Sequence, residues 1–309
     1  GRDTRRGCGM TFEQALRQAG LRPRDVVADG MWRRCATDDK PTKRNGVYVL
    51  FPWGVGYFRN RAVDGTDNHK WEDGTKTDHA PSAEHLERMR RQSQQERALR
   101  VAAIGGARRF WNTISKPVRQ LHPYLANKGL GAQGTAGLRV ADGRLIVPVM
   151  FRGSLISVQS IGEDGTKLFW PGAPVKAGHY VIERPGAAVT VLCEGFATGL
   201  AVYQCMRHAR VVVCFDAGNL QPVTNELRPT GSVVFAADND HGTLARRGMN
   251  PGLEKARNAA ELIGAGVAYP QGIEGTDYAD ALKQFGQPGA RRIEREILAA
   301  ARYVDRAAA

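Results

Sequence analysis

Cysteine is scarce and unpaired. The five thiols in 309 residues (Cys8, Cys35, Cys193, Cys205 and Cys214) fall in no paired ligand spacing, which excludes a structural zinc ribbon. Cys193, Cys205 and Cys214 lie inside apolar runs, the pattern of reduced core thiols in a cytoplasmic protein. Long hydrophobic runs are missing too, and no secretory signal is legible, so no membrane role is expected. Gly1 rather than methionine stands first, and Met10 is a candidate native start. Acidic residues are in deficit: 31 Asp plus Glu face 44 Lys plus Arg, a formal charge of +13. Such a surplus draws a chain to polyanions by releasing their condensed counterions. No internal repeat is visible, which excludes a solenoid.

What is present changes character along the chain. Residues 11–20 predict a short amphipathic helix capped by Thr11 and stopped by Gly20. Residues 47–51 and 55–59 predict a hairpin across Pro52-Trp53-Gly54, with turns at Asp64-Gly65 and Asp73-Gly74, giving a small β-rich domain over 1–80. From Ser82 to about Ile104 the composition is that of a helix whose arginines outnumber its acids, ended by Gly105-Gly106, and a further helix is expected near 108–114. Strands at 145–151, 155–161 and 167–170, with turns at Arg152-Gly153 and Asp164-Gly165, predict an antiparallel meander. The linker helix and this meander make up 81–182.

After Pro185-Gly186, apolar strands at 189–194, 211–215, 232–237 and 266–269 alternate with helices at about 197–208, 219–227, 249–263 and 277–285. That alternation predicts a parallel sheet covered on both faces over 183–288, followed by a terminal helix in 289–309. The fold class is therefore α/β, α+β when the preceding antiparallel parts are included.

Carboxylates end these strands: Glu194 the first, Asp216 the second, and the pair Asp238 and Asp240 the third. Asp277 and Asp280 follow the fourth. The carboxyl ends of parallel strands open on one crevice, where α/β sheets place their chemistry. Gly195 removes a side chain beside Glu194 and admits a ligand or metal. Several carboxylates in one crevice repel one another unless a cation joins them, and hard oxygen donors suit hydrated Mg²⁺ or Mn²⁺. Asp277 and Asp216 are equally readable as a helix cap and a turn residue.

These motifs resemble a known family. Glu194-Gly195 followed by Asp238-x-Asp240 looks like the Toprim fold of bacterial-type primases and topoisomerases. Leu192-Cys-Glu-Gly-Phe-Ala-Thr-Gly199, Phe215-Asp-Ala-Gly-Asn219, Ala236-Ala-Asp-Asn-Asp240 and Asn250-Pro-Gly252 look like the TraC-type primases of conjugative plasmids and related phage primases. So do His122-Pro-Tyr-Leu125 with Lys128-Gly129, Leu145-Ile-Val-Pro148, Gln159 and Asp164-Gly-Thr-Lys167. Asn68-His69-Lys70-Trp71 resembles the small domain that precedes the catalytic part in that group. Two positions depart from it: Thr198 stands where Toprim proteins often carry Asp, and Ala279 replaces an Asn.

The resemblance implies synthesis of a short RNA primer on single-stranded DNA from ribonucleoside triphosphates, in the cytoplasm of a bacterial cell, with a replicative helicase as a further partner. It implies Glu194, Asp238 and Asp240 as catalytic acids, and Glu194, Asp216, Asp238, Asp240, Asp277 and Asp280 around Mg²⁺ or Mn²⁺. Lys128, Arg144, Arg152, Lys167 and Gly195 are candidates for gripping nucleotide or template, with solvated strand faces as the plain alternative for the cations. His122 before Pro123 reads as a packed or turn residue. Trp53, Tyr57 and Trp71 read as bases' stacking partners or as domain core, the core being favoured for two of the three. A metal-dependent Toprim nuclease and a non-catalytic carrier of single-stranded DNA remain open as alternatives.

Overall fold

The computed structural model describes residues 10–61, 64, 68–73, 83–242 and 250–307. Cys8, Gly65, Gly74 and Ser82, and the start of the helix expected at 249, lie outside these described residues. The chain forms two compact units, residues 1–98 and 99–309.

In the first unit Thr11 caps α1 (Phe12–Gln18) through a reciprocal bond with Gln14, as expected of a polar residue one position before an amphipathic run. Five antiparallel strands follow in sequential order: β1 (Leu21–Arg22), β2 (Arg33–Thr37), β3 (Gly46–Leu50), β4 (Val55–Asn60) and β5 (His69–Glu72). Period-two alternation sends Cys35, Tyr48 and Phe58 to the face covered by Phe12 and Leu16 of α1. Trp71 joins this core, 5.3 Å from the Phe12 ring, and its indole N–H donates to Met10 O. Trp53 instead stacks on Phe51 at 4.6 Å, with Tyr57 edge-on to Phe51 at 6.3 Å.

Helix α2 (Ala83–Arg109) does not stop at Gly105-Gly106 and runs directly into a π-helical turn, Phe110–Ile114. The glycines serve packing: a Cβ on Gly106 would lie 3.1 Å from the Trp170 indole nitrogen. Tertiary contact here outweighs the intrinsic cost of glycine within a helix. The separate helix expected near 108 is therefore the continuation of α2.

The rest of the second unit holds two five-stranded sheets. The antiparallel one, in order β10-β9-β8-β7-β6, uses β6 (Lys116–Pro117), β7 (Arg139–Ala141), β8 (Arg144–Phe151), β9 (Ser154–Ile161) and β10 (Lys167–Phe169). Its hairpins turn at Asp142-Gly143 and Arg152-Gly153, where all four residues have φ between 47° and 72°, the geometry of two-residue hairpins. Helix α3 (Pro123–Asn127) is capped by His122, whose Nδ1 accepts from Tyr124 N–H, while its Nε2 lies 3.0 Å from Gly143 O. His122 is thus a packed cap.

The second sheet has the order β11-β13-β12-β14-β15, from β11 (Tyr180–Ile182), β12 (Val189–Cys193), β13 (Ala209–Val213), β14 (Ser232–Ala236) and β15 (Gly266–Ala268). Strands β12 to β15 pair in parallel as expected, but β11 adds an antiparallel edge beside β13. Three apolar residues are too short a run to separate a strand from a loop by pattern. One face packs against α4 (Phe196–Cys205), α7 (Tyr278–Phe285) and α8 (Gln287–Ala307). The other packs against α5 (Leu220–Leu227) and α6 (Pro251–Glu261). Each buried Val or Leu side chain contributes about 1.5–3 kcal/mol. Cys193 and Cys214 are buried free thiols, and Cys205 is half-buried.

Close packing of α8 on β15 depends on Gly266, because a Cβ there would fall 2.4 Å from the Ala300 carbonyl oxygen. Backbone cannot yield cheaply, so Gly266→Ala is expected to cost about 1–3 kcal/mol, read as a lowered melting temperature. An unchanged transition would show that α8 does not dock on β15 in this way.

Candidate active site

The carboxylates sit where the sheet delivers them. Glu194 directly follows β12, between the strand and α4, for which Gly195 is the N-cap. Helix α4 is pressed onto the sheet because Gly199 has no Cβ to meet Cys193 Sγ and Val213, both 2.9 Å away. Asp216 follows β13 after Phe215, whose φ of 73° is left-handed and whose ring packs edge-on to Phe169 at 5.8 Å. A bulky residue in this region is strained, and the strain sits at the point where the strand hands the chain to Asp216.

Asp238 and Asp240 lie two residues apart beyond β14 and are half-buried. Asn239 between them is buried. Its side-chain amide donates to Pro270 O at 2.7 Å and accepts from Asn250 Nδ2 at 3.0 Å. These bonds tie the loop after β14 to the loop after β15 and to the start of α6.

Electrostatics group these acids. Burial pushes the Glu194 carboxyl up to about 8, with the charges of Asp238 and Asp216 acting in the same direction and Lys255 and Lys167 opposing them. Burial likewise raises Asp238 to about 7, reinforced by Asp277, while Lys167 and a hydrogen bond from Thr198 oppose it. Thr198 Oγ1 donates to Asp238 Oδ1 at 3.3 Å. Partial desolvation also raises Asp216, although that residue is exposed at the rim. Glu194 Oε1 is buried and has no hydrogen-bond partner. An unsatisfied buried oxygen costs about 1–3 kcal/mol, more when charged. Among the described residues, no three carboxylate, imidazole or thiolate groups stand close enough to hold an ion between them.

The remaining predicted residues separate into two groups. Asp277 caps α7 through a reciprocal pair with Asp280. Lys128 Nζ lies 2.9 Å from Asp280 and 3.7 Å from Asp277. Burial works against the Asp280 charge, but the bond from Lys128 holds its carboxyl below the usual range. Arg152 pairs with Glu226 at 2.7 Å. Arg144 donates to Ser160 O at 3.1 Å and Thr166 O at 2.6 Å, bracing the turn that leads to Lys167. Lys167 itself approaches the crevice: a Cβ on Gly195 would be 3.7 Å from its Nζ.

Two site residues escaped individual notice in the sequence. Lys255, on the first turns of α6, acts on Asp216 and Glu194 through its charge, and a Cβ on Gly218 would lie 3.6 Å from its Nζ. A Cβ on Gly252 would lie 2.8 Å from Glu194 Oε1. Their three-residue spacing after Asn250-Pro251 puts both on one helix face, the only signal that the sequence offered.

Residues 189–287 match the family model described as Toprim domain. The chain is 30% identical over 280 residues to DNA primase TraC of Escherichia coli, across 84% of this chain and 26% of that protein. A second DNA primase TraC of Escherichia coli is 31% identical over 199 residues, 62% of this chain and 13% of the relative. The chain therefore spans about a quarter or less of the curated relatives. Among solved structures, a DnaG primase catalytic domain bound to ssDNA gives a TM-score of 0.41 at 14% identity, covering 67% of this chain and 80% of that one. The primase fragment of bacteriophage T7 primase-helicase gives 0.39 at 16% identity, covering 60% and 74%.

The raised carboxyls set a pH signature. Glu194 and Asp238 start from ordinary values of 4.5 and 3.8 and reach about 8 and about 7 in the fold. Over that interval the folded protein keeps protons that the unfolded chain has released, so these two groups make stability fall as pH rises. In chelator, Glu194→Gln is expected to melt at nearly the wild-type temperature near pH 4 and clearly above it at pH 8. A difference that does not grow with pH would refute the raised Glu194. The family match and the similarity to curated relatives support one statement: residues 189–287 are a Toprim domain, in a chain that resembles the TraC primases over 84% of its own length.

Proposed function

We propose that this chain is the catalytic part of a DNA primase, joining ribonucleoside triphosphates into short primers on single-stranded DNA for a plasmid, phage or other mobile element. The observation that carries the reading is the half-buried pair Glu194 and Asp238 at adjacent strand ends, with Glu194 Oε1 buried and unpartnered. Similarity to DNA primase TraC over 84% of the chain supports it.

The donor set fits a hard divalent cation. It is all oxygen, it is held electrically uncomfortable by its own burial, and Gly252 keeps side-chain atoms away from Glu194 Oε1. Because no three such groups among the described residues stand close enough to enclose an ion unaided, Glu194, Asp238 and Asp240 would hold Mg²⁺ or Mn²⁺ through one or two direct carboxylates with water completing the shell. Asp216 stands at the rim. When bound, such ions lower the pKa of a 3′-hydroxyl and offset charge on the departing pyrophosphate.

The chain's own residues supply position and charge. Thr198 orients the Asp238 carboxylate through its hydroxyl, the work left to it where other Toprim proteins carry a further acid. Lys167 and Lys255 lie within the field of the acids and suit the phosphates of an incoming nucleotide. Lys128 pairs with Asp280 and Asp277 and fixes them at the start of α7. Arg144 secures the turn that presents Lys167.

Primer synthesis tests this directly. With single-stranded DNA, labelled ribonucleotides and Mg²⁺ or Mn²⁺, wild type is expected to yield short labelled oligoribonucleotides. Glu194→Gln and Asp238→Asn should each lose at least about a hundredfold while still binding DNA. Cleavage of the DNA without incorporation would assign the same acids to a nuclease. No chemistry with either metal would leave a single-stranded DNA carrier.

A further inference from the structure

The first unit carries its positive charge in concave form. A cleft of about 480 Å³ is lined by six cationic residues, Arg22, Arg24, Arg33, Arg34, Lys43 and Arg44. That volume is within the range of sites that enclose a ligand of nucleotide size. Two of the six are neutralised: Arg22 by Asp38 at 2.6 Å and Arg33 by Asp29 at 2.6 Å. Arg24, Arg34, Lys43 and Arg44 are exposed and, among the described residues, have no ion-pair partner. One carboxylate, Asp25, shares the lining.

A second depression of about 300 Å³ adjoins the first through Arg34, and adds Trp32, Arg59 and Arg61. Strand register explains the row. Arg34 on β2 stands opposite Val47 on β3, and Val47 opposite Arg59 on β4. Residues directly opposite share a face of the sheet, so the two arginines flank one valine at about two strand spacings, ~10 Å. Arg34 and Arg59 point away from the face that packs Cys35, Tyr48 and Phe58 beneath α1, while the first cleft also reaches Cys35 and Tyr48 at its floor. Trp32, just before β2, is 47% exposed, uncommon for so large an apolar ring.

A cleft lined by unpaired like charges attracts a compensating anion. Guanidinium forks match phosphate oxygens in pairs, and an exposed indole among them offers a face on which an unstacked base can lie. A duplex keeps its bases stacked inside and gives Trp32 nothing to meet. We infer that this face of the first unit binds single-stranded nucleic acid, the backbone following Arg24, Arg34, Lys43 and Arg44 and a base stacking on Trp32. The inference is independent of the reading of Glu194 and Asp238, since it requires neither metal nor triphosphate.

Fluorescence anisotropy of the full chain with a labelled oligothymidylate of about 15 nucleotides, in chelator and without nucleotides, tests it. The three-site variant Arg24→Gln, Arg34→Gln, Arg44→Gln is expected to bind roughly tenfold more weakly, with the slope of log affinity against log salt reduced by about 2. A charge-matched control in the second unit, Arg207→Gln, Arg257→Gln, Arg295→Gln, should change affinity much less. Trp32→Ala should weaken single-strand binding about fivefold and duplex binding hardly at all. Photocrosslinking of a bromouridine-containing oligonucleotide to wild type should mark the peptide holding Trp32, a readout that needs no variant to fold. The inference is overturned if the three-site variant and the charge-matched control bind alike, or if the crosslink maps elsewhere. Loss of duplex binding equal to that of single strands, or competition by vesicles of anionic lipid as effective as that by oligonucleotide, would also overturn it.

Discussion

Two half-buried carboxylates stand where water cannot fully solvate them, and the architecture around the crevice answers that fact. Glu194 and Asp238 follow adjacent parallel strands, β12 and β14, whose register brings Cys193 opposite Ala236. Neighbouring strands are about 4.8 Å apart, so acids one and two residues beyond these ends are forced into each other's field. The result is a pair of carboxyls raised toward neutrality. Such a pair is costly in isolation and valuable only when positive charge is brought to it.

The rest of the second unit holds this arrangement in place. Helix α4 is apolar on all sides and buried from Phe196 to Val202, which anchors Gly195 and presents the Thr198 hydroxyl to Asp238. Asn239 fastens the Asp-x-Asp segment through buried amide bonds. Asn219 does the same after Asp216, donating to Gly178 O and Cys214 O at 2.8 Å each. Fully satisfied buried amides of this kind fix loops more stringently than apolar contact can. The acids thus sit on loops whose backbones have little freedom, the condition a site needs when geometry carries its chemistry.

The cations divide by role in a way that charge alone could not forecast. Arg152 and Arg144 are spent on Glu226 and on turn carbonyls, and Lys128 on the cap of α7. Lys167 and Lys255 face the carboxylates. In the first unit, Arg24, Arg34, Lys43 and Arg44 gather in one cleft. The net charge of +13 is therefore a sum over cations in different surroundings, some paired with carboxylates or carbonyls and some not.

The alternating apolar strands and amphipathic helices after residue 186 determined the parallel sheet, and the strand-end positions of Glu194, Asp216, Asp238 and Asp240 followed from it. Capping at Thr11 and the hairpin at Pro52-Trp53-Gly54 were legible for the same reason: local chemistry suffices where partners are near in sequence. Tertiary structure alone decided the antiparallel edge strand β11, the passage of α2 through Gly105-Gly106, and the arrival of Lys255 and Gly252 beside Glu194. Those outcomes join segments tens of residues apart. They turn on whether a ring such as Trp170 packs against a glycine, or whether a helix start meets a strand end. Periodicity reports which face of an element is apolar, but not which distant element will cover it, because that depends on shape complementarity across the folded core.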